Sequence, residues 1–375
     1  MPSQLYIGIM SGTSADGIDA ALVDFGGPRP NILATRFTPF EPTLRRQIMA
    51  LFTPSDNEID RMGKLDIALG EAYESATSEL LRDAGLGATS IRAVGLHGQT
   101  LRHRPDGSRP FTLQIGNPYG ISQRLGITVV SDLRRADMAL GGQGAPLAPL
   151  FHQALFSSPH TSRVIINTGG IANISYLRPD HAVTGFDTGP ANGLMDYWIE
   201  TCKGPRFDAD GEWASTGTVL PDLLEKWLAD PFYNQVPPKS TGKEYFTPEH
   251  LGLESQAIRA LAPADVQRTL CELSARTIVD AIKRFCPGAE EVYISGGGAH
   301  NPLLSSRIAS LSELPTQTTA ALGVAPDWVE ATGFAWLAKN CLEGNPLDTG
   351  PVTGATRRVI LGAIHPVADQ DGLQK

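Results

Sequence analysis

Met10-Ser11-Gly12-Thr13-Ser14-Ala15-Asp16-Gly17-Ile18-Asp19 decides how this chain is read. The apolar run Leu5-Tyr6-Ile7-Gly8-Ile9-Met10 enters it as a strand, and Ile18 to Phe25 leaves it as a second strand. Between them lies a turn of glycines, hydroxyls and one carboxylate. Small residues let backbone N–H groups come close to a polyanion, and hydroxyls add donors. Asp16 would repel a bare phosphate. It suits one that arrives with a divalent cation, met directly or through water. The stretch therefore fits a hairpin for the phosphates of a metal-bound nucleotide. The same residues fit an ordinary hairpin equally well, because Gly/Asp turns are common.

Length and charge narrow the choices. At 375 residues the chain has room for two domains. A formal net charge of −9 leaves no basic excess for a phosphate backbone, so no nucleic-acid partner is expected. Arg102-His103-Arg104 and Arg134-Arg135 are local basic clusters that fit a solvated face or a small anion. The cysteines, Cys202, Cys271, Cys286 and Cys341, are scattered and form no Cys-x-x-Cys, which suits a reducing cytoplasm. The first apolar run goes straight into the glycine turn, without the basic segment and cleavage site of a leader. No apolar stretch is long enough to cross a bilayer, and no membrane partner is expected.

Asn31 to Phe37 continues the opening as a third strand. From Glu58 to Ala84, Ile59, Met62, Leu65, Ala68, Leu69, Ala72, Ala76, Leu80 and Leu81 recur at helical spacing, and Gly85-Leu86-Gly87 ends the run. Ile91 to Leu96 is a short strand ending in His97-Gly98-Gln99-Thr100. Phe111 to Ile115 and Ile127 to Val130 are strands joined by a helix from Pro118 to Leu125. Gly141-Gly142-Gln143-Gly144-Ala145-Pro146 leads into an apolar helical stretch, Leu147 to Phe156. This connector reads as a crossing between lobes or as a plain surface loop.

The second half partly repeats the first. Arg163 to Asn167 is a strand, Thr168-Gly169-Gly170 a small turn, and Ile171 to Leu177 a strand again. After an amphipathic helix from Asp265 to Phe285, the strand Glu291 to Ser295 meets Gly296-Gly297-Gly298, as Ile91 to Leu96 meets His97-Gly98. The duplication predicts an α/β chain of two similarly built lobes, with mixed sheets flanked by helices, facing a cleft. The expected division is residues 1–135, carrying the hairpin, and residues 136–375. The last helix, Val329 to Leu342, can pack back across the first lobe.

Gly185-Phe186-Asp187-Thr188-Gly189-Pro190-Ala191-Asn192 follows a short strand, Ala182 to Thr184, and precedes a helix from Leu194 to Cys202. A carboxylate between glycines at a strand end lets a substrate approach closely, as a general base requires. A helix cap or a turn explains Asp187 as well. Gly296-Gly297-Gly298 would admit a flat ring or phosphates against its backbone. No full Gly-x-Gly-x-x-Gly follows a strand, which disfavours a dinucleotide site. His97 and His103 lack a third ligand at metal-site spacing and read as polar lining or surface residues. Gln114, Asn117, Asp132 and Arg134 follow strand ends on the side of the hairpin turn. They can line a pocket for a hydroxylated anion, with Arg134 suited to a bidentate carboxylate grip. Loop hydrogen bonds and salt bridges account for them equally. Ser11, Ser14 and Ser175 stand outside Gly-x-Ser-x-Gly and fit turn or phosphate contacts better than a nucleophile.

The ordered set Ile9 to Ser14 with Asp16 to Asp19, Gly95 to Thr100, Gln114 to Asn117, Gly141 to Leu147, Asn167 to Asn173, Gly185 to Pro190 and Gly296 to Ala299 resembles the anhydro-N-acetylmuramic acid kinase family. The resemblance runs the length of the chain, with mild variation at Thr168 and Thr188. It implies the hexokinase, heat-shock-70 and actin superfamily: two lobes of ribonuclease-H-like (actin/hexokinase-type) topology around an ATP cleft. It further implies that Gly12, Thr13, Ser14, Ala15, Asp16, Gly17, Ile18 and Asp19 hold the ATP phosphates. Asp16 would meet Mg²⁺, directly or through water. Gly169, Gly170, Gly296, Gly297 and Gly298 would also contact the nucleotide, the last three beside the adenosine. Asp187 would be the catalytic base; His97, Gln114, Asn117 and Arg134 are candidate substrate-side residues on their own chemistry and position, not through the resemblance.

The implied reaction takes 1,6-anhydro-N-acetylmuramate, ATP and water to N-acetylmuramate 6-phosphate and ADP, in cytoplasmic recycling of peptidoglycan. The implied partners are that sugar and ATP, and a homodimer is compatible with them. The alternative is a simple phosphotransferase of the same fold, with Asp187 deprotonating a hydroxyl of another sugar or small alcohol. An ATP-driven chaperone would need an appended peptide-binding domain, and only a short polar tail follows Ala355-Thr356-Arg357.

Overall fold

A computed structural model describes residues 4–242 and 245–367. The chain divides into two compact units, Met1–Phe151 with Glu330–Lys375, and His152–Val329. In chain order the strands are β1 (Leu5–Ser11), β2 (Gly17–Asp24), β3 (Asn31–Pro39), β4 (Ile91–Arg104), β5 (Phe111–Ile115), β6 (Val129–Ser131), β7 (Arg163–Thr168), β8 (Ile171–Leu177), β9 (Thr184–Pro190), β10 (Glu291–Ser295), β11 (Thr316–Thr318) and β12 (Ala363–His365).

In the first unit the sheet order is β12-β6-β4-β1-β2-β3, with β5 added to β4. β1 is antiparallel to β2 and β2 to β3, whereas β1 with β4 and β4 with β6 are parallel. The second unit has the order β11-β10-β7-β8-β9. There β7 is antiparallel to β8 and β8 to β9, whereas β7 with β10 and β10 with β11 are parallel. Read as β3-β2-β1-β4-β6 and β9-β8-β7-β10-β11, the two sheets have the same order and the same senses. Three antiparallel strands followed by two parallel ones form the ribonuclease-H-like lobe, here present twice.

Every residue of β1 is buried, as its unbroken apolar run requires of a strand covered on both faces. Leu5, Ile7 and Ile9 join the core made by Leu65, Leu69, Tyr73, Ala76 and Leu80 of the helix Glu58–Asp83. On the other face Gly8 and Gly95 lie side by side in the β1–β4 register. A Cβ on Gly8 would stand 1.7 Å from Ala331 O, and one on Gly95 2.1 Å from Phe334 O. The helix Val329–Leu342 thus rests its backbone directly on the sheet, an approach that only glycine permits.

The chain leaves the first unit after Phe151, later than the boundary expected at 135. Hydrogen bonds from Arg134 Nη1 to Gly144 O, from Gly144 N to Asp137 Oδ2 and from Thr353 Oγ1 to Asp137 Oδ1 tie the glycine connector into the first unit.

In the second unit Val266, Leu270, Leu273, Ile278 and Ile282 of the helix Pro263–Phe285 pack on Val164, Ile166, Ile174 and Phe186. The alternation puts Asn173 and Ser175 on the opposite face of β8. Ser175 is covered there by His152 of the helix Ala148–Phe156, whose Nδ1 lies 2.8 Å from Ser175 Oγ. Burial pushes the His152 pKa from 6.5 down to about 3. The unfolded chain therefore binds a proton that the folded one refuses, and this residue drains stability as pH falls from 6.5 towards 3. The urea midpoint should drop between pH 7 and pH 5, and drop less in His152→Gln, which keeps a polar group beside Ser175 without titrating. Equal drops in both proteins would remove His152 as the cause.

Two differences from the sequence expectation bear on the site. β4 does not stop at Leu96 but continues through His97-Gly98-Gln99-Thr100 to Arg104, because β5 pairs with its second half. Asp187 does not follow a strand end. It sits inside β9, opposite Asn173, because the glycine-flanked segment still pairs with β8. Among the described residues no helix is long and apolar enough to cross a membrane.

Candidate active site

The first unit's hairpin joins β1 to β2 through residues 12–16. Ala15 takes a left-handed backbone with φ +50° and buries its methyl completely, while its N–H donates to Gly12 O at 3.1 Å. Gln99 Nε2 also donates to Gly12 O at 3.1 Å, and Ser11 Oγ lies 2.7 Å from the Tyr73 hydroxyl. These bonds pin the root of the turn and leave Thr13, Ser14 and Asp16 exposed. Among the described residues nothing accepts from the backbone N–H of Thr13 or Ser14. Two unclaimed backbone donors beside two hydroxyls suit phosphate oxygens. Asp16 Oδ1 accepts from Ser14 Oγ at 2.8 Å and from Gly17 N at 3.1 Å, which orients the carboxylate. An exposed carboxylate among hydroxyls is a hard oxygen set of the kind Mg²⁺ takes together with phosphates and water. Ile18 is buried in the core, so it supports the turn from beneath.

His97 and Arg134 of the same unit meet. Arg134 donates Nη2 to His97 Nε2 at 2.9 Å and Nε at 3.2 Å, and Nη1 to Gly144 O at 2.9 Å. Burial, reinforced by Arg134, holds His97 well below the usual histidine pKa, so the ring is neutral and its Nε2 accepts. Burial also pushes Arg134 down to about 10, against the opposing pull of Glu330 and Asp137. The fork of Arg134 is thus already engaged, and a ligand carboxylate could grip it bidentately only by displacing His97. Gln114 donates Nε2 to Thr112 Oγ1 at 2.7 Å and to Thr100 Oγ1 at 3.1 Å. Asn117 Oδ1 accepts from Tyr119 N at 2.9 Å, a local turn bond.

In the second unit one row crosses the sheet. Ser295 pairs with Asn167, Asn167 with Asn173, and Asn173 with Asp187. Paired residues of neighbouring strands share a face, so this row is polar while Ile174 and Phe186 on the other face enter the core. Asp187 Oδ2 accepts from Thr241 N at 2.8 Å and from Ser240 Oγ at 3.2 Å. Its own N–H donates to Lys239 O at 3.2 Å. Lys239 anchors that loop from below. Its Nζ donates to Phe232 O at 3.2 Å and Tyr233 O at 3.3 Å, and stands 4.6 Å from the Phe232 ring centre. Burial, with help from Arg284, pushes the Lys239 pKa down to about 8, and Asp187 opposes the shift.

The glycine turn at the end of β10 is packed rather than open at two of its three positions. A Cβ on Gly296 would lie 2.4 Å from Asn167 Oδ1, and one on Gly298 2.6 Å from Thr168 Oγ1. Gly297 would meet only Asn192 Nδ2, at 3.8 Å, and is the one a ligand can approach. Gly169 and Gly170 turn their carbonyls to the helix Asn192–Lys203, accepting from Asn192 N at 2.9 Å and from Gly193 N at 3.1 Å.

The structure therefore collects Gly12 to Asp19 on one hairpin, joins His97 to Arg134, and sets Gly169, Gly170 and Gly296 to Gly298 around the ends of β7 and β10. Gln114 and Asn117 keep to separate local bonds. Sequence reasoning missed Lys239, Ser240 and Thr241. They lie more than fifty residues from Asp187 along the chain, and no local pattern links them to it. It also missed Asn173, quoted within a motif but given no part.

The sequence profile of the family described as "Anhydro-N-acetylmuramic acid kinase" matches residues 4–367. Three relatives carry that same name. The protein of Saccharophagus degradans is 49% identical over 370 residues, covering 97% of this chain and all of its own. That of Thiobacillus denitrificans is 47% identical, covering 96% of this chain and 97% of its own. That of Xanthomonas campestris pv. campestris is 46% identical, covering 97% of this chain and 98% of its own.

Proposed function

The chain belongs to the anhydro-N-acetylmuramic acid kinase family, and we propose that Asp187 is the general base of its reaction. The enzyme is a sugar kinase of cell-wall recycling. It takes 1,6-anhydro-N-acetylmuramate, ATP and water to N-acetylmuramate 6-phosphate and ADP. One observation supports Asp187 above the other carboxylates: it stands on the polar face of β9, its Oδ2 held by the hydroxyl and amide of Ser240 and Thr241. A base held by two donors has a fixed direction in which to take a proton.

Asp187 draws a proton from water, and the water oxygen bonds the anomeric carbon. The bond from that carbon to the bridging oxygen breaks, with its electron pair left on oxygen. That oxygen bonds the γ-phosphorus, and the bond to the ADP oxygen breaks. No free alkoxide accumulates, because phosphorus captures the charge as it forms. The backbone donors of Thr13 and Ser14 and their hydroxyls bind the phosphates. Mg²⁺, when bound beside Asp16, offsets phosphate charge; Asp16 and the neighbouring hydroxyls are the residues that would hold it. Gly297 faces the adenosine, and His97, Gln114, Asn117 and Arg134 serve the sugar side.

The test is single-turnover reaction in water labelled with heavy oxygen, quenched early and read by mass spectrometry. The expected product carries one labelled oxygen on the sugar and an unlabelled phosphate. A phosphorylated sugar without the label would replace this mechanism by direct transfer to a substrate hydroxyl.

A further inference from the structure

Asn173 is the cross-strand partner of Asp187 and shares its face of the sheet. Its Oδ1 is buried, and among the described residues it has no hydrogen-bond partner. Buried polar atoms in folded proteins are nearly always satisfied, by protein or by ordered water. A second such atom, Thr241 Oγ1, belongs to the residue whose N–H holds Asp187 Oδ2. The corner around Asp187 thus offers acceptors beyond those that the protein itself uses.

A nucleophilic water has a requirement that one base does not meet. It must present a lone pair to the anomeric carbon, which fixes its orientation only if both O–H bonds have acceptors. Side chains directly opposite on antiparallel strands have Cβ atoms about 5 Å apart. A water reaching about 2.8 Å to each of two oxygens spans such a pair. We propose that Asn173 Oδ1 accepts the second hydrogen of the attacking water, so that Asp187 and Asn173 together aim its lone pair away from the strands. The proposal rests on Asp187 being the base. The proton still goes to Asp187; Asn173 takes none and is a positioning residue acting through the water. A neutral amide suits this place, because a second carboxylate opposite Asp187 would hinder ionisation of both.

The test uses the full-length enzyme with ATP, Mg²⁺ and the anhydro sugar. Asn173→Ala should lower kcat about 100-fold, the scale of losing orientation at a reacting atom, with KM for both substrates nearly unchanged. Asn173→Asp keeps an acceptor of the same shape but adds charge beside Asp187. Its activity should return at alkaline pH, with the acid limb of the kcat profile displaced upward. That displacement follows from the added charge alone; the readout a merely structural Asn173 would not give is the loss in kcat at nearly unchanged KM in Asn173→Ala. If Asn173→Ala fails to fold, Asn173→Leu, of similar shape but without an acceptor, takes its place with the same expected loss.

Asn173→Ala with kcat within about threefold of the parent, where 100-fold is the expected loss, overturns the proposal. So does Asn173→Asp that stays as inactive at high pH as at low. Asp187→Asn measured in parallel separates the two assignments. If it is inactive while Asn173→Ala is normal, only the water-orienting role falls. If Asp187→Asn turns over normally, the base assignment falls and this one with it.

Discussion

Asp187→Asn should bind ATP like the parent yet lose turnover by about 100- to 10,000-fold, the range that general-base catalysis supplies. The substitution is nearly isosteric. An amide oxygen still accepts from Thr241 N and Ser240 Oγ, so the loop that grips the side chain keeps its hold. The backbone bond to Lys239 O does not involve the side chain at all. What disappears is the ability to take a proton from water. The hairpin proposed for the phosphates belongs to the other unit and shares no residue with β9. Calorimetric ATP affinity and the rate of ADP release separate binding from chemistry. Turnover near the parent's would remove Asp187 from the reaction, and weakened ATP binding would point to a role with the nucleotide instead.

Gly8→Ala should be strongly destabilising. The added Cβ would lie 1.7 Å from Ala331 O and 2.6 Å from Ala335 N, both backbone atoms of one helix. No side-chain rotation relieves a clash with backbone, so the helix Val329–Leu342 must move off the sheet. Moving it uncovers β1 and β4, which are buried along most of their length. The cost should reach or exceed the upper range for overpacking, about 3 kcal/mol. It is read as a lower urea midpoint at unchanged slope, or as failure to fold. Gly12→Ala is the contrast: its Cβ would meet Ser14 Oγ at 3.4 Å and little else, so the midpoint should hardly shift. Equal midpoints for the two variants would mean that the helix does not rest on Gly8.

Much of the fold was legible because its cues are local. The apolar runs that became β1, β5, β8 and β10 and the spaced apolar residues of Glu58–Asp83 and Pro263–Phe285 carry their own periodicity. The repeat of strand, small turn and strand anticipated two equivalent sheets. The short strands β11 and β12 were not anticipated. With three residues each, they carry too little pattern to read, and pairing with a neighbour already in place defines them. The two glycines of the β1–β4 pair illustrate the same limit. In sequence Gly8 and Gly95 are interruptions of strands, and only the helix lying across them explains why nothing larger stands there.

The candidate site divides along the same line. Gly12 to Asp19 was readable as a candidate phosphate turn because such a turn is one contiguous stretch, with its small residues, hydroxyls and carboxylate in a single loop. The sequence alone also singled out Asp187 and, through the ordered motifs, the family. Only the tertiary structure put Asn173 opposite Asp187, brought Ser240 and Thr241 to its carboxylate, and joined Arg134 to His97. The physical reason is range. Backbone propensity and periodicity act over a few residues, whereas strand register and loop packing bring together atoms whose separation along the chain leaves no mark in either partner's neighbourhood.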